Sequence, residues 1–123
     1  MDIYREEILD HYKRPRNFSP TKPWRSGVGW SVASDRNASC GDVIEIGVKI
    51  KAGKIDDIKF QGEGCAIAMA STSMLTEMMK GKTVEQAKKL TDKDMIKKLG
   101  IKISLGRKKC ATLGLVVLQK ALI

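Results

Sequence analysis

Between residues 43 and 51 apolar and polar side chains take turns. Ile44, Ile46, Val48 and Ile50 are interleaved with Glu45, Gly47, Lys49 and Lys51. A period of two sends successive side chains to opposite faces, so the run reads as a strand with one face packed and the other polar. Ala52-Gly53 then forms a hairpin turn, and Ile58 and Phe60 alternate with Asp57, Lys59 and Gln61 in the return strand. Ile55 falls out of phase with them, which places a bulge near Asp56. Upstream, Val28, Trp30 and Val32 point one way in a first strand. The economical arrangement is three consecutive antiparallel strands.

After Gly62-Glu63-Gly64 the period becomes helical. Ile67, Ala70, Met74, Leu75 and Met78 form a stripe at spacings of three and four, and Gly81 closes the helix. Thr83 with Gln86 three residues on reads as a capping box, and Thr91, Asp92 and Asp94 mark a third helix start. Residues 99–107 read as loop or extended, and a last, well-buried helix is expected from about Lys109 to the end. At the other end, Tyr4, Ile8 and Tyr12 share one face of a helix over Ile3 to Tyr12, which Pro15 ends. Helix, strands, helices is an α+β order: a three-stranded antiparallel sheet with helices packed on it, as one domain over residues 1–123.

No apolar run approaches the roughly 18 residues that a membrane span needs. The N-terminus has no apolar signal region, so a cytoplasmic location and no membrane partner are expected. Net charge is +9, and from Lys80 to Lys109 there are eleven basic residues against three acidic ones. This segment reads as a solvated basic face or as a docking surface for an acidic protein. It carries no aromatic residue to stack on a base, so nucleic acid is not expected as a partner.

The chain has three cysteines, an odd number for a disulfide framework. Cys40 lies in Asn37-Ala38-Ser39-Cys40-Gly41-Asp42, a loop ill suited to hide a packing side chain. Cys40 and Asp42 are two apart, so a sulfur and an oxygen donor can project to one side. Cys65 stands where the third strand hands over to the long helix, and Cys110 follows Arg107-Lys108-Lys109 at the expected start of the last helix. Helix N-termini favour thiolate over thiol, so depressed thiol pKa values are expected at both. A lone cysteine is more often a buried packing residue than a ligand. Here all three sit at element boundaries, outside the apolar stripes. None forms a C-x-x-C pair, so a site exists only if the fold gathers them. His11, the only histidine, reads as a surface or packing residue. Met69, Met74, Met78 and Met79 read as core and helix surface. Trp30 is expected to pack on the sheet, and Trp24 to be exposed.

The stretches ILDHYKRPRNF, ASCGDVIEIGVKI, GKIDDIKFQGEGCAIAMASTSMLTE, GKT and RKKCATLGL resemble, in that order and over nearly the whole chain, the IscU/SufU/NifU N-terminal family of iron–sulfur scaffolds. The resemblance implies that the three cysteines meet at one exposed end, with Cys40, Asp42, Cys65 and Cys110 as ligands. It also implies a function: assembly of a labile [2Fe–2S] cluster from iron and desulfurase-derived sulfur, with Cys110 as persulfide acceptor, followed by transfer to apo-proteins. A cysteine desulfurase, apo iron–sulfur acceptor proteins and a ferredoxin are the implied partners. The alternative is a zinc-dependent sulfurtransferase of the SufU type with Zn²⁺ at the same donors, so whether the chain is an enzyme stays open. Lys109 stands where IscU-type members have a histidine, and Ile101–Gly106 replaces their Pro-Pro-Val-Lys segment. Yet Cys65 and Cys110 are 45 residues apart, without the insertion of SufU-type members. The sequence combines features of both branches.

Overall fold

A computed structural model describes residues 6–20, 29–38 and 40–122. Eight elements follow in order: α1 (Glu6–Lys13), β1 (Trp30–Asn37), β2 (Asp42–Lys51), β3 (Lys54–Glu63), α2 (Ala66–Met79), α3 (Val84–Lys88), α4 (Asp92–Leu99) and α5 (Leu105–Ala121). The strands form an antiparallel sheet in the order β1-β2-β3, the expected α+β architecture. Asp57 pairs with Lys49 and Ile55 with Ile50, so Asp56 is the extra residue of a bulge, where the phase slip put it. The bulge brings Ile55 into the core while Ile50 stays exposed.

Ile44, Ile46, Val48, Ile58 and Phe60 line the packed face of the sheet, and Leu75, Met79, Val117 and Leu118 close over them. Each such side chain contributes about 1.5–3 kcal/mol by leaving water. The helix-facing row of β1 is more polar than its apolar residues foretold. Trp30 and Val32 face outward, Val32 exposed and Trp30 half-buried with the Lys49 ammonium 5.8 Å from its ring centroid. The row that meets α5 is Ser31, Ala33, Asp35 and Asn37: Ser31 Oγ donates to the Ala121 carbonyl, and Asp35 pairs with Lys120. Trp24 and Val28 lie outside the described residues. The free edge of β3 is covered by the chain at 17–19, with Phe60 N–H donating to the Asn17 carbonyl and Phe18 edge-on to Phe60.

Helix α2 is buried on almost every side, between the sheet, α1, α4 and α5. The expected capping box of Thr83 with Gln86 is formed, and the helix start expected at Thr91 proves to be a second one, Thr91 with Asp94. Two expectations are corrected. The last helix begins at Leu105, four residues before Lys109, because Ser104 opens it with no side-chain cap and leaves no sequence signal. Helix α1, described from Glu6, buries Ile8 and His11 and leaves Tyr12 exposed, so Ile8 and Tyr12 do not share a packed face; Tyr4 lies outside the described residues.

His11 is a packing residue. Its Nδ1 is 2.7 Å from Ser73 Oγ on α2, and that hydroxyl also accepts the Arg16 N–H. Burial, aided by the Arg16 charge, pushes the His11 pKa below the ordinary 6.5. An unfolded chain therefore binds the histidine proton more readily than the folded one. Stability should be full above the unfolded value and fall as pH drops through it towards the folded pKa. The urea midpoint is expected to be lower at about pH 5.5 than at about pH 7.5; equal midpoints would contradict the assignment.

Candidate metal and sulfur site

Three parts of the chain meet at the same place: the β1–β2 turn, the β3–α2 junction and the second turn of α5. Asn37 and Asp42 face each other as the last register pair of the β1–β2 hairpin. The Asn37 carbonyl accepts the N–H groups of Cys40 and Gly41, which folds the connecting turn so that Cys40 stays exposed. Donor atoms of Cys40, Asp42 and Cys110 all lie within 4.8 Å of one another, and the Cys40 and Cys110 sulfurs are 3.4 Å apart. Two thiolates on one tetrahedral metal with metal–sulfur bonds of about 2.3 Å stand roughly 3.8 Å apart. The set therefore fits a cation with little adjustment.

Cys65 lies outside that 4.8 Å set. It is the N-cap of α2, its sulfur accepting the Ala68 N–H at 3.5 Å, as its position at the helix start foretold. It is nevertheless tied to the others, because its own N–H donates to Asp42 Oδ1 at 3.0 Å and its thiol acts on Cys110. Gly64 permits this approach: a Cβ there would stand 2.8 Å from Asp42 Oδ1. Asp42 is wholly buried, with the Cys65 N–H and, at 3.5 Å, the Asn37 amide as neighbours. A buried carboxylate beside the Cys40 and Cys110 sulfurs is a group whose charge a bound cation would balance.

Cys110 departs from its expected setting. Because α5 starts at Leu105, Cys110 is in the second turn, away from the helix end, and is 1% exposed within an apolar cluster with Ile8, Ile67, Met74 and Leu99. Burial first, then hydrogen bonds with Cys40 and Asp42, push its thiol pKa well above the ordinary value. The expected depression at Cys110 is overturned, because the helix-end effect it relied on acts four residues earlier. Lys109 is exposed on the rim of a cleft of about 530 Å³ between the end of β1 and α5, with Leu113 and Val116 on its wall.

The residue that the sequence pattern passed over is Asn37. Its Asn-Ala-Ser setting indicates a loop, yet it is the last member of the helix-facing row of β1, and its Nδ2 lies 3.6 Å from Cys110 Sγ and 3.5 Å from Asp42 Oδ2. The period-two phase of β1, carried on from Ser31 and Ala33, was the signal that could have found it. His11 is placed on Ser73 and Glu77, roughly 12 Å or more along α2 from Cys65.

Comparison with known proteins identifies the family and the fold. The model of the NifU-like N terminal domain family matches residues 3–123. A protein of Archaeoglobus fulgidus named iron-sulfur cluster assembly scaffold protein IscU 1 is 39% identical over 123 residues, covering 98% of this chain and 75% of its own. The zinc-dependent sulfurtransferase SufU of Bacillus subtilis is 38% identical over 136 residues, covering 96% of this chain and 88% of its own. The crystal structure of a nitrogen-fixing NifU-like protein (N-terminal) from Brucella abortus shares the fold, with a TM-score of 0.76 at 18% identity over 98% of this chain and 92% of that one. Among the described residues no helix is long and apolar enough to cross a membrane.

Proposed function

Because the chain belongs to the NifU-like N-terminal domain family, we propose that it is a scaffold on which a labile [2Fe–2S] cluster is built and from which it passes to apo-proteins. The observation that carries this reading is the meeting of Cys40, Asp42 and Cys110 within 4.8 Å, with Cys65 bonded to Asp42 beside them. The ligand set is Cys40, Asp42, Cys65 and Cys110. A stable [2Fe–2S] centre takes four cysteines; a carboxylate in one position is a weaker soft-metal ligand, which suits cargo that must leave.

Sulfur arrives as the outer atom of a desulfurase persulfide. The Cys110 thiolate attacks that atom, the donor's S–S bond breaks, and the desulfurase cysteine departs as thiolate, leaving a persulfide on Cys110. Burial keeps the Cys110 thiol protonated in the empty protein, and the exposed Cys40 lies on the approach to it. A bound cation stabilises thiolate over thiol. A desulfurase is therefore the required sulfur donor, apo iron–sulfur proteins are the recipients, and a ferredoxin is the electron source. Three thiolates and a carboxylate also make a complete tetrahedral zinc set. That observation supports the second reading, a zinc-dependent sulfurtransferase. We place the protein in the cytoplasm as a single domain.

The test is anaerobic reconstitution with desulfurase, cysteine, ferrous iron and a reductant, followed by visible absorption and transfer to an apo-ferredoxin. A cluster that forms and moves, and that is lost in the cysteine variants, establishes the scaffold. Retained zinc, no cluster and a faster desulfurase establish the sulfurtransferase instead. A further expectation concerns Asn37. Its amide orients Asp42 and Cys110 without being a ligand, and loss of such a partner typically costs ~10–100-fold in metal affinity. Asn37→Ala should lose zinc to a competing chelator over that range while the thermal midpoint of its metal-free form shifts little; unchanged zinc retention would remove Asn37 from the site.

A further inference from the structure

The basic residues between Lys80 and Lys109 include two separate groups. Lys108 and Lys109 are exposed on the first turns of α5, next to Cys110. Lys89, Lys97 and Lys98 instead line an open groove of about 700 Å³ between α2, α3 and α4. Its apolar surface comes from Met78 and Met79, at the end of α2, and from Leu90. Cys65 caps the other end of α2, so at about 1.5 Å per residue the groove lies roughly 20 Å from the thiols.

We propose that this groove docks an acidic amphipathic helix of a partner protein. The three lysines stand on two walls, Lys89 after α3 and Lys97 with Lys98 on α4, flanking a methionine- and leucine-lined floor. A helix with an apolar stripe and carboxylates on both sides of it matches that arrangement. Unbranched thioether side chains adapt to such a stripe without demanding one shape. The groove carries one negative charge against three positive ones. Asp94, its single acid, is held by the Thr91 N–H and hydroxyl at the start of α4, which keeps its pKa below the usual carboxylate range. Gln86 is likewise held by Thr83. Among the described residues none of the three lysines forms an ion pair, whereas Lys80 and Lys120 do. Lys97 acts on Asp94, but three cations against one carboxylate leave a net positive rim beside an apolar floor, which favours carboxylates from outside. Nucleic acid is the poorer match, since no aromatic side chain lines the groove to stack a base. The separation from Cys40, Cys65 and Cys110 lets the docked protein and a sulfur donor occupy the molecule together.

The test uses the full chain, labelled with ¹⁵N, and a synthetic helical peptide of about 15 residues whose leucines at i, i+4 and i+7 are flanked by glutamates. The glutamate peptide should shift the amides of Met78, Met79, Leu90 and Lys97. Affinity should fall about tenfold or more when glutamine replaces the glutamates, and likewise in the Lys89→Glu/Lys97→Glu/Lys98→Glu protein. The corresponding Lys→Arg protein should bind like the parent. Lys108→Glu/Lys109→Glu should leave peptide binding unchanged and slow sulfur uptake. Several results would overturn the proposal: equal binding of the glutamine peptide, equal binding by the charge-reversed protein, or shifts confined to the Cys40–Cys110 end. So would a duplex oligonucleotide that binds more tightly than the peptide, or concentration-dependent self-association that fills the groove in the absence of peptide.

Discussion

A Cys110→Ser protein is expected to acquire no persulfide from a desulfurase and to hold no visible cluster, a loss of more than about 100-fold in either yield. The hydroxyl cannot form the sulfur–sulfur bond that the transfer creates, and it is a poor ligand for iron at neutral pH. The effect should be chemical rather than structural. Serine is close in size to cysteine, and Asn37, Cys40 and Asp42 surround the position with polar atoms. Near-ultraviolet circular dichroism should therefore stay close to that of the parent. Cys65→Ser provides the contrast: persulfide still forms on Cys110, but the cluster is lost. Mass spectrometry of the alkylated proteins separates the two results. A persulfide that persists in Cys110→Ser would move the acceptor role to Cys40, the exposed thiol 3.4 Å away.

The largest effect on folding is expected from Gly62→Ala. Gly62 has φ +149, a conformation in which side chains are rare, and a Cβ built on it lies 2.0 Å from the Val43 carbonyl oxygen and 3.1 Å from Ile44 Cα. Those are backbone atoms of β2, the central strand, which is bonded on both sides and cannot yield. Overpacking against soft surroundings costs about 1–3 kcal/mol; here strain in φ adds to it, and a loss above about 3 kcal/mol is expected. Gly106→Ala is the control, since Gly106 lies in α5 with nothing within 4 Å of its Cβ position. Alanine there should stabilise by about 0.5–1 kcal/mol. Urea denaturation of the two proteins measures both values. A near-neutral Gly62→Ala would mean that β3 leaves β2 earlier than described.

The parts of the fold that were legible are those governed by neighbouring residues. Strand phase marked the β2–β3 hairpin and its bulge, because Ile55 breaks the alternation at one point. Thr83–Gln86 and Thr91–Asp94 marked two helix starts, because a capping box is a local exchange of hydrogen bonds. The start of α5 was not legible, since Ser104 makes no side-chain cap and Leu105 is exposed. The misplaced helix start carried an error into chemistry, assigning Cys110 a depressed pKa that its burial reverses. The outward-facing Val32 has the same origin: alternation identifies two faces but not which one the helices cover. Cys40, Asp42, Cys65 and Cys110 could each be singled out as donors. The approach of Cys40, Asp42 and Cys110, with Cys65 beside them, depends on two chain junctions and a turn of α5 stacking together, which no spacing encodes, and the expectation of it came from family resemblance.

The donors come from distant parts of the chain, 25 residues from Cys40 to Cys65 and 45 from Cys65 to Cys110. An ion gripped by all of them acts as a reversible cross-link that closes two long loops in any unfolded conformation. By the chain-entropy relation for cross-links, loops of those lengths correspond to about 3–4 kcal/mol each. That is comparable with a large part of the total stability of a small domain, commonly about 5–15 kcal/mol. Occupancy would thus be written into the resistance of the whole chain to unfolding and proteolysis, so that protein which has given up its cargo differs mechanically from protein still carrying it.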